Sequence, residues 1–454
     1  YIARRIIKRN APAAYHEQES SLGIILCSLS RIFRPANKDK SSKDILANPF
    51  VGNASIQMLV TTFLLTITVL TCAVQAVAFN RLMRYVNQEM DHPRSPYHPF
   101  ATVILPCKGL DPGFRGNIEK LLSQDYPNFE VIFAVASTED PAYKELVELS
   151  KTAKIPTKIV VAGINQSRAQ KINNQLKALG ELSPQSQVLV FVDSDVIARG
   201  DFLRRLVEPL QENGVGVTTG YRFYIASISN WPSQLRSLWN RISAWELAHP
   251  AYAFAWGGAM ATKRSVFEQA KVAEAWDRAA DDDLSLTTAV KAIGQSVHFV
   301  PQCLVASDGD ASISEILEWT NRQLILTKVY YPGLWVRAIA RAAVMALWLI
   351  AMLSAAVSYS LWADQAMAMA LLAGLTIFPL ELFFLVKART LWKRVLTDNH
   401  QYIEESFLTS CAAIPLAHLV LPWMTLYSLL TNRIQWRGVT YELVSPTETS
   451  IISS

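Results

Sequence analysis

The chain has 454 residues, 51% of them hydrophobic, with a mean hydropathy of +0.17 and a formal net charge of +5. That length holds a soluble domain together with membrane segments, and the hydropathy is high for a wholly soluble protein. The modest charge and the lack of an aromatic-plus-basic recognition motif exclude a nucleic-acid binder. The five cysteines (Cys27, Cys72, Cys107, Cys303 and Cys411) form no CxxC or Cys/His cluster. They indicate neither a zinc site nor a disulfide framework, and fit a reducing, cytosol-facing domain. The chain opens at Tyr1 rather than Met, so residues before it are expected. Segment 1–55 is polar, basic and irregular and is assigned no fold.

From Ile56 to Phe79 no charged residue occurs, enough for a membrane crossing. The stretch lies too far from the start, and runs too long, for a signal peptide. Soluble helices of this length are rarely apolar all round. A transmembrane helix is therefore expected over residues 56–80, with Arg81 and Arg84 holding its end on the cytosolic side.

Residues 99–335 read as a soluble α/β domain. Strands are predicted at Ala101–Leu105, Val131–Ala136, Lys158–Ala162, Val188–Val192 and Val215–Thr219. Helices are predicted at Asn117–Leu122, Pro141–Lys151, Ala169–Leu179 and Phe202–Gln211. This alternation predicts a largely parallel sheet with helices on its faces, and ligands outside the carboxyl ends of the strands. With no GxGxxG or Walker motif, an NAD enzyme or a P-loop ATPase is not expected.

Three features fall at such strand ends. Cys107-Lys108-Gly109 follows the first strand and Ser137–Asp140 the second. After the fourth, the apolar run Val188–Val192 stops at Asp193-Ser194-Asp195. Carboxylates spaced i, i+2 share one face of a strand and converge at its end. Hard divalent cations such as Mg²⁺ or Mn²⁺ take oxygen ligands of this kind, often shared with substrate phosphates. Asp140 precedes Pro141, the preferred N-cap and N1 pairing, so helix capping and ligand contact both fit it. Lys171 reads first as an ordinary exposed lysine and less readily as a substrate contact. Asp281-Asp282-Asp283 precedes the helix-like pattern Leu284, Leu286, Ala289, Val290, Ile293. It either complements the helix dipole or supplies a general base. Trp231, Leu235, Leu238, Trp239, Ile242 and Trp245 form a helical stripe that suits the bilayer interface or core packing alike.

Residues 337–431 form a C-terminal membrane region with three spans: Ala342–Leu361, Ala366–Val386 and Phe407–Leu430, the last interrupted by Pro415 and Pro422. Arg337 and Arg341 flank the first. Lys387, Arg389, Lys393 and Arg394 follow the second, while the turn Trp362–Gln365 between them has no Lys or Arg. The basic ends therefore face the cytosol. Residues 432–454 read as a polar tail.

In this order the motifs resemble the ceramide glucosyltransferase-like family of inverting, membrane-bound glycosyltransferases. Leu105–Pro112 resembles that family's Lys-Gly-Val-Asp-Pro opening, and Gln124–Val131 its Asp-Tyr-Pro-x-x-Glu-Val run. Glu139-Asp140-Pro141-Ala142 is similar to the first acid, which helps bind the nucleotide, and Lys171-Ile172-Asn173-Asn174 to a Lys-Ile-Asn-Asn segment. Asp193-Ser194-Asp195 fits the second acid motif, which holds the diphosphate through a metal. His249-Pro250 with Tyr252, Gly257-Gly258 with Lys263-Arg264, and Trp436-Arg437-Gly438 with Tyr441 resemble later segments. Asp282-Asp283, with Gly294 eleven residues on, fits the Glu-Asp motif, Asp282 standing for Glu.

The resemblance covers roughly Ile56–Leu443. It implies a GT-A-type, Rossmann-like nucleotide-sugar domain with flanking transmembrane helices, in a multi-pass membrane protein whose catalytic domain faces the cytosol. It implies transfer of a sugar, glucose from UDP-glucose foremost, to a lipid hydroxyl such as ceramide, with inversion. It also implies Asp283 as catalytic base; Lys108, Asp140, Lys171, Asp193 and Arg322 as donor-binding residues; and Asp195 with Asp193 as ligands of Mg²⁺ or Mn²⁺. One motif is broken. Where Arg/Gln-x-x-Arg-Trp is expected the chain has Arg322-Gln323-Leu324-Ile325-Leu326, leaving Arg322, Lys328 or another cation to stabilise the leaving group. Two further readings are a processive polysaccharide synthase and a membrane-anchored nucleotide-sugar-binding protein without turnover. Nothing in the sequence bears on oligomeric state.

Overall fold

The computed structural model describes residues 49–225, 227–362 and 365–453. By its contacts Met58–Ser454 is one unit. The N-terminal segment assigned no fold falls almost wholly outside the described residues, as do residues 363 and 364 of the turn after Trp362.

Helix α1 (Pro49–Asp91) leads to strand β1 (Ala101–Pro106). There follow α2 (Phe114–Leu122), β2 (Phe129–Val135), α3 (Pro141–Thr152), β3 (Thr157–Val161), α4 (Gln170–Leu179) and β4 (Val188–Val192). The short α5 (Phe202–Val207) precedes β5 (Val215–Ile225), and α6 (Trp231–Ser243) precedes β6 (Ala259–Lys263). Helices α7 (Arg264–Gln269), α8 (Val272–Ala275) and α9 (Asp283–Ala292) lead to β7 (Ser296–Asp308). Then come α10 (Ile313–Tyr330), α11 (Pro332–Trp362), α12 (Gln365–Leu375), α13 (Ile377–Val395), α14 (His400–Glu405) and α15 (Phe407–Tyr427). Strands β8 (Arg433–Trp436), β9 (Val439–Ser445) and β10 (Glu448–Ser453) follow.

The first seven strands form one sheet in the order β3-β2-β1-β4-β6-β5-β7. All neighbours are parallel except β6, which runs antiparallel to both β4 and β5. The alternation of side chains splits the core in two. Val103, Val131, Phe133, Val188 and Val190 pack on one face, and Ile104, Ile132, Leu189 and Phe191 on the other. A side chain such as Phe191 buried in this way contributes about 2–3 kcal/mol.

The predicted strands are present, but three features escape the sequence pattern. Strand β6 (Ala-Met-Ala-Thr-Lys) has almost no β-branched character and is held by pairing on both edges. Strand β5 continues past Thr219 to Ile225, pairing with β7 across a register shift between Thr219 and Tyr221. The segment read as a polar tail folds as a three-stranded antiparallel sheet, with Ile434, Tyr441 and Leu443 buried in the same core as α4 and α10.

Among the described residues four helices are long and apolar enough to cross a membrane: Met58–Asp91, Pro332–Ser360, Gln365–Val395 and Phe407–Tyr427. The third breaks at Thr376, between α12 and α13. Pro379 explains the break, because it has no N–H and its ring clashes with the carbonyl four residues back. The soluble domain and these helices share a core. Leu82 and Val86 of α1 and Leu391 and Trp392 of α13 pack with Tyr221 and Phe223 of β5. Buried Glu246 takes Arg341 at 2.7 Å and Arg337 at 3.1 Å, joining the start of α11 to the domain. In the aromatic stripe, Leu235 and Leu238 pack on Ala413, Ile414 and Ala417 of α15, whereas Trp231 stays exposed.

One polar node ties all four apolar segments together. Glu381 of α13 accepts from Gln75 of α1 at 2.7 Å and meets His418 of α15 at 2.6 Å. The other ring nitrogen of His418 lies 2.9 Å from the sulfur of Met345 of α11. Hydrogen bonds between helices in an apolar medium are each worth about 0.6–2 kcal/mol. Glu381→Leu should therefore lower the thermal unfolding temperature in detergent. Glu381→Gln, which keeps an acceptor in place, should lower it less.

Candidate active site

The carboxyl ends of β1, β2, β4 and β5 form one cleft. After β1 the chain turns at Gly109, whose positive φ of 68° suits glycine. The Gly109 N–H donates to Asp140 Oδ1 at 2.9 Å, and the same oxygen accepts from Ala142 N at 2.9 Å. Asp140 thus caps α3 and pins the Lys108 loop to it. Asp111 in that loop accepts from Ser194 Oγ at 2.6 Å, tying β1 to the acid pair after β4.

The two acids have different partners. Asp193 Oδ1 lies 2.9 Å from Lys171 Nζ, on α4. Asp195 takes both Nη atoms of Arg222, at 2.7 and 2.9 Å, from the far part of β5. The Arg222 guanidinium also lies 5.0 Å from the Trp256 ring centre. Burial pushes the Asp193 carboxyl up, against the pull of Lys171. Burial acts on Asp195 too, but the Arg222 guanidinium outweighs it and holds that carboxyl below its usual range.

Lys171 is the hinge of the site. Besides Asp193 it meets Asp282 Oδ2 at 3.0 Å and donates to the Gly257 carbonyl at 3.2 Å. Burial alone would favour the neutral amine, but Asp193 and Asp282 outweigh it and keep Lys171 protonated. Gly257 gives room here: a Cβ would stand 2.7 Å from Lys171 Nζ and 3.0 Å from the Asp282 oxygens, and would push those side chains aside.

The oxygens of Asp281, Asp282 and Asp283 lie within 4.8 Å of one another, yet each has its own task. Asp281 accepts from Leu284 N at 2.9 Å and caps α9. Asp282 is held by Lys171 and by Gln175 at 2.8 Å. Asp283, the one partly exposed, accepts from Gly257 N at 2.7 Å. Burial, then the neighbouring Asp282, raises the Asp283 carboxyl to about 6. The charge cluster therefore belongs to the cleft of the acid pair, joined to it through Lys171.

Asp193 and Asp195 are the residues that would take a hard divalent cation, with Asp193 the freer of the two because Arg222 occupies both Asp195 oxygens. They offer paired carboxylates at a strand end, with side chains 29% and 33% exposed towards the cleft. Asp193 Oδ2 has Arg222 no closer than 3.8 Å.

Arg322 is placed under the C-terminal hairpin, its guanidinium 5.7 Å from the Trp436 ring centre. Burial lowers its basicity, with Arg437 and Arg222 among the charges around it. The broken motif has a structural account: Ile325 is fully buried and Leu326 nearly so, both in the core beneath the sheet. Lys328 points elsewhere, donating to the carbonyls of Ser428 and Thr431 at 2.9 and 3.3 Å. Sequence reasoning missed Arg222, Gln175 and the reach of Arg437. The alternation Tyr221-Arg222-Phe223-Tyr224 carried the signal for the first, had the strand been extended past Thr219.

The family model described as Glycosyl transferase family 21 matches residues 63–449. The chain belongs to this family. Every site residue named above lies inside the match. Two relatives are ceramide glucosyltransferases. That of Komagataella phaffii is 24% identical over 170 residues, covering 36% of this chain and 33% of its own length. That of Candida albicans is 26% identical over 155 residues, covering 30% and 28%. The chain thus aligns with about a third of those relatives. Among solved structures, a mannosyltransferase from Pyrobaculum calidifontis in complex with GDP-Man and Mn²⁺ is 18% identical, with a TM-score of 0.42 over 76% of this chain and 98% of that one. A mycobacterial protein is 16% identical, with a TM-score of 0.33 over 51% and 74%. In this family 21 chain the domain is α/β with a sheet of mainly parallel strands, flanked by apolar helices, as expected of the GT-A type.

Removing one member of a buried ion pair costs about 3–5 kcal/mol. Lys171→Met should lower the urea midpoint in detergent accordingly. The deficit should shrink at pH 5, where the acids left behind take up protons.

Proposed function

We propose that this family 21 chain moves a hexose, glucose from UDP-glucose in the first instance, onto a lipid hydroxyl such as that of ceramide, with inversion. The observation that carries the reading is Lys171, which touches Asp193 at 2.9 Å and Asp282 at 3.0 Å and so joins a donor-type acid pair to a base-type acid cluster.

In this reading the nucleotide sugar lies across the strand ends, against Lys108, Asp140, Lys171 and Asp193, with Arg322 at the far wall. Asp195 and Asp193 would hold a divalent cation, Mg²⁺ or Mn²⁺, which when bound neutralises the diphosphate and improves it as a leaving group. Arg222 orients Asp195 by its two-point contact. Asp283 accepts the proton of the lipid hydroxyl. The hydroxyl oxygen forms its bond to the anomeric carbon from the face opposite the diphosphate, while the carbon–oxygen bond to phosphate breaks and the nucleoside diphosphate departs. A single displacement inverts the configuration. A carboxyl near 6 suits this role, since a general base works best with a pKa close to the working pH. Gly257 N–H keeps the Asp283 carboxylate aimed.

The acceptor class is supported by the apolar helices that share a core with the domain. The basic residues Arg81, Arg84, Arg337, Arg341 and Lys387–Arg394 support a multi-pass protein with its domain on the cytosolic side.

Three outcomes test the reading. Purified protein given lipid extract and several UDP-sugars should yield a glycolipid by mass spectrometry. Asp283→Asn should lower its formation about a thousandfold while UDP-sugar binding persists; retained turnover would refute the base. In the wild type, kcat/KM should fall about tenfold per pH unit below about 6, as Asp283 becomes protonated. A profile flat down to pH 5 would count against it.

A further inference from the structure

The hairpin after α15 brings an arginine to the cleft from the far end of the chain. Trp436 pairs with Val439, so the turn is Arg437-Gly438, with φ of 48° and 82°. Two positive φ values mark the mirror-image turn that favours Asn-Gly or Gly-Gly. Among the described residues Lys271 is the other non-glycine at positive φ. A long, branched cation is a costly choice for such a turn, and strain of this kind persists where surroundings or function hold it.

The Arg437 side chain does not fold back on its own sheet. Its Nη1 donates to the Lys108 carbonyl at 2.9 Å, and Lys108 Nζ donates to the Arg437 carbonyl at 3.3 Å. Its Nη2 reaches Asp111 Oδ1 at 3.3 Å, a long contact to a carboxylate whose other oxygen already accepts from Ser194. The side chain stays 45% exposed, and these bonds use two of its five N–H groups. Its charge also helps hold Asp195 ionised. From behind, Ile434, Tyr441 and Leu443 fix the hairpin in the core, and Trp436 lies by Arg322. A rigid mount thus presents a guanidinium with donors to spare between the loops after β1 and β4.

We propose that Arg437 binds the donor's diphosphate, and that its hairpin, seated on Lys108 and Asp111, forms one wall of the donor pocket. The proposal rests on the glycosyl-transfer reading. A guanidinium matches phosphate oxygens two at a time and is charged at any working pH. Placed there, it also opposes the negative charge that builds on the leaving diphosphate. The weak Asp111 contact is one that phosphate oxygens displace.

The informative variant is Arg437→Gly, which removes the guanidinium and leaves a residue at ease with the turn. Binding of UDP and of uridine is measured on the full chain in detergent, beside the melting temperature. The expected result is an unchanged or raised melting temperature, UDP affinity lower by about tenfold or more, and unchanged uridine affinity. Should Arg437→Gly melt earlier, Arg437→Asn, which also tolerates the turn, is read in the same way. UDP affinity within about twofold of wild type, or equal loss for UDP and uridine, overturns the proposal. If the wild type binds neither UDP nor GDP, the glycosyl-transfer reading falls, and this one with it.

Discussion

One buried ammonium group organises the centre of this molecule. Lys171 sits between Asp193 and Asp282 and under the Gly257 carbonyl. Seven acids are gathered at the cleft, counting Asp111, Asp140, Asp193, Asp195 and the 281–283 triplet. Like charges so close cannot all stay ionised without cations among them. Lys171 and Arg222 provide that compensation at the two ends of the acid pair. Within the triplet the crowding shows on Asp281, which is pushed well up, and on Asp283, whose carboxyl is raised to about 6 by burial and by Asp282. The poise of the candidate base is set by burial and by Asp282, against the pull of Lys171.

The sheet explains how these groups meet. Parallel strands β1, β2 and β4 all end on the same edge, and β5 reaches that edge because it is long. Strand β6 runs the other way between them, so the Gly257 loop that precedes it enters from the cleft side. Glycine there lets the backbone touch Lys171 on its carbonyl and Asp283 on its N–H. The apolar helices are no separate attachment. Their ends finish the core around Tyr221 and Phe223, two residues that flank Arg222 in the sequence.

Much of this was legible in the sequence, because alternation of apolar residues reports strands and acids at strand ends report a site. Asp193, Asp195 and Asp140 were found in that way, whereas Lys171 and Asp283 were singled out by the likeness to the family's motifs. What escaped was set by tertiary contact. Strand β6 has no strand-like composition and exists through its two neighbours. Arg222 lay beyond the point where the local pattern was taken to stop. The break at Ile325-Leu326 read as a loss, whereas both side chains serve the core. The C-terminal segment looked like a tail because a short hairpin with a few apolar residues has no periodicity long enough to register.

The contact between Lys108 and Arg437 joins positions 329 residues apart. Synthesis delivers the β1 loop early and the hairpin only after α11, α12, α13 and α15 have been made. A nascent chain stopped before that point lacks both this side of the cleft and part of the core beneath the sheet. Completion of the cleft is thereby tied to synthesis of the apolar helices that precede the hairpin.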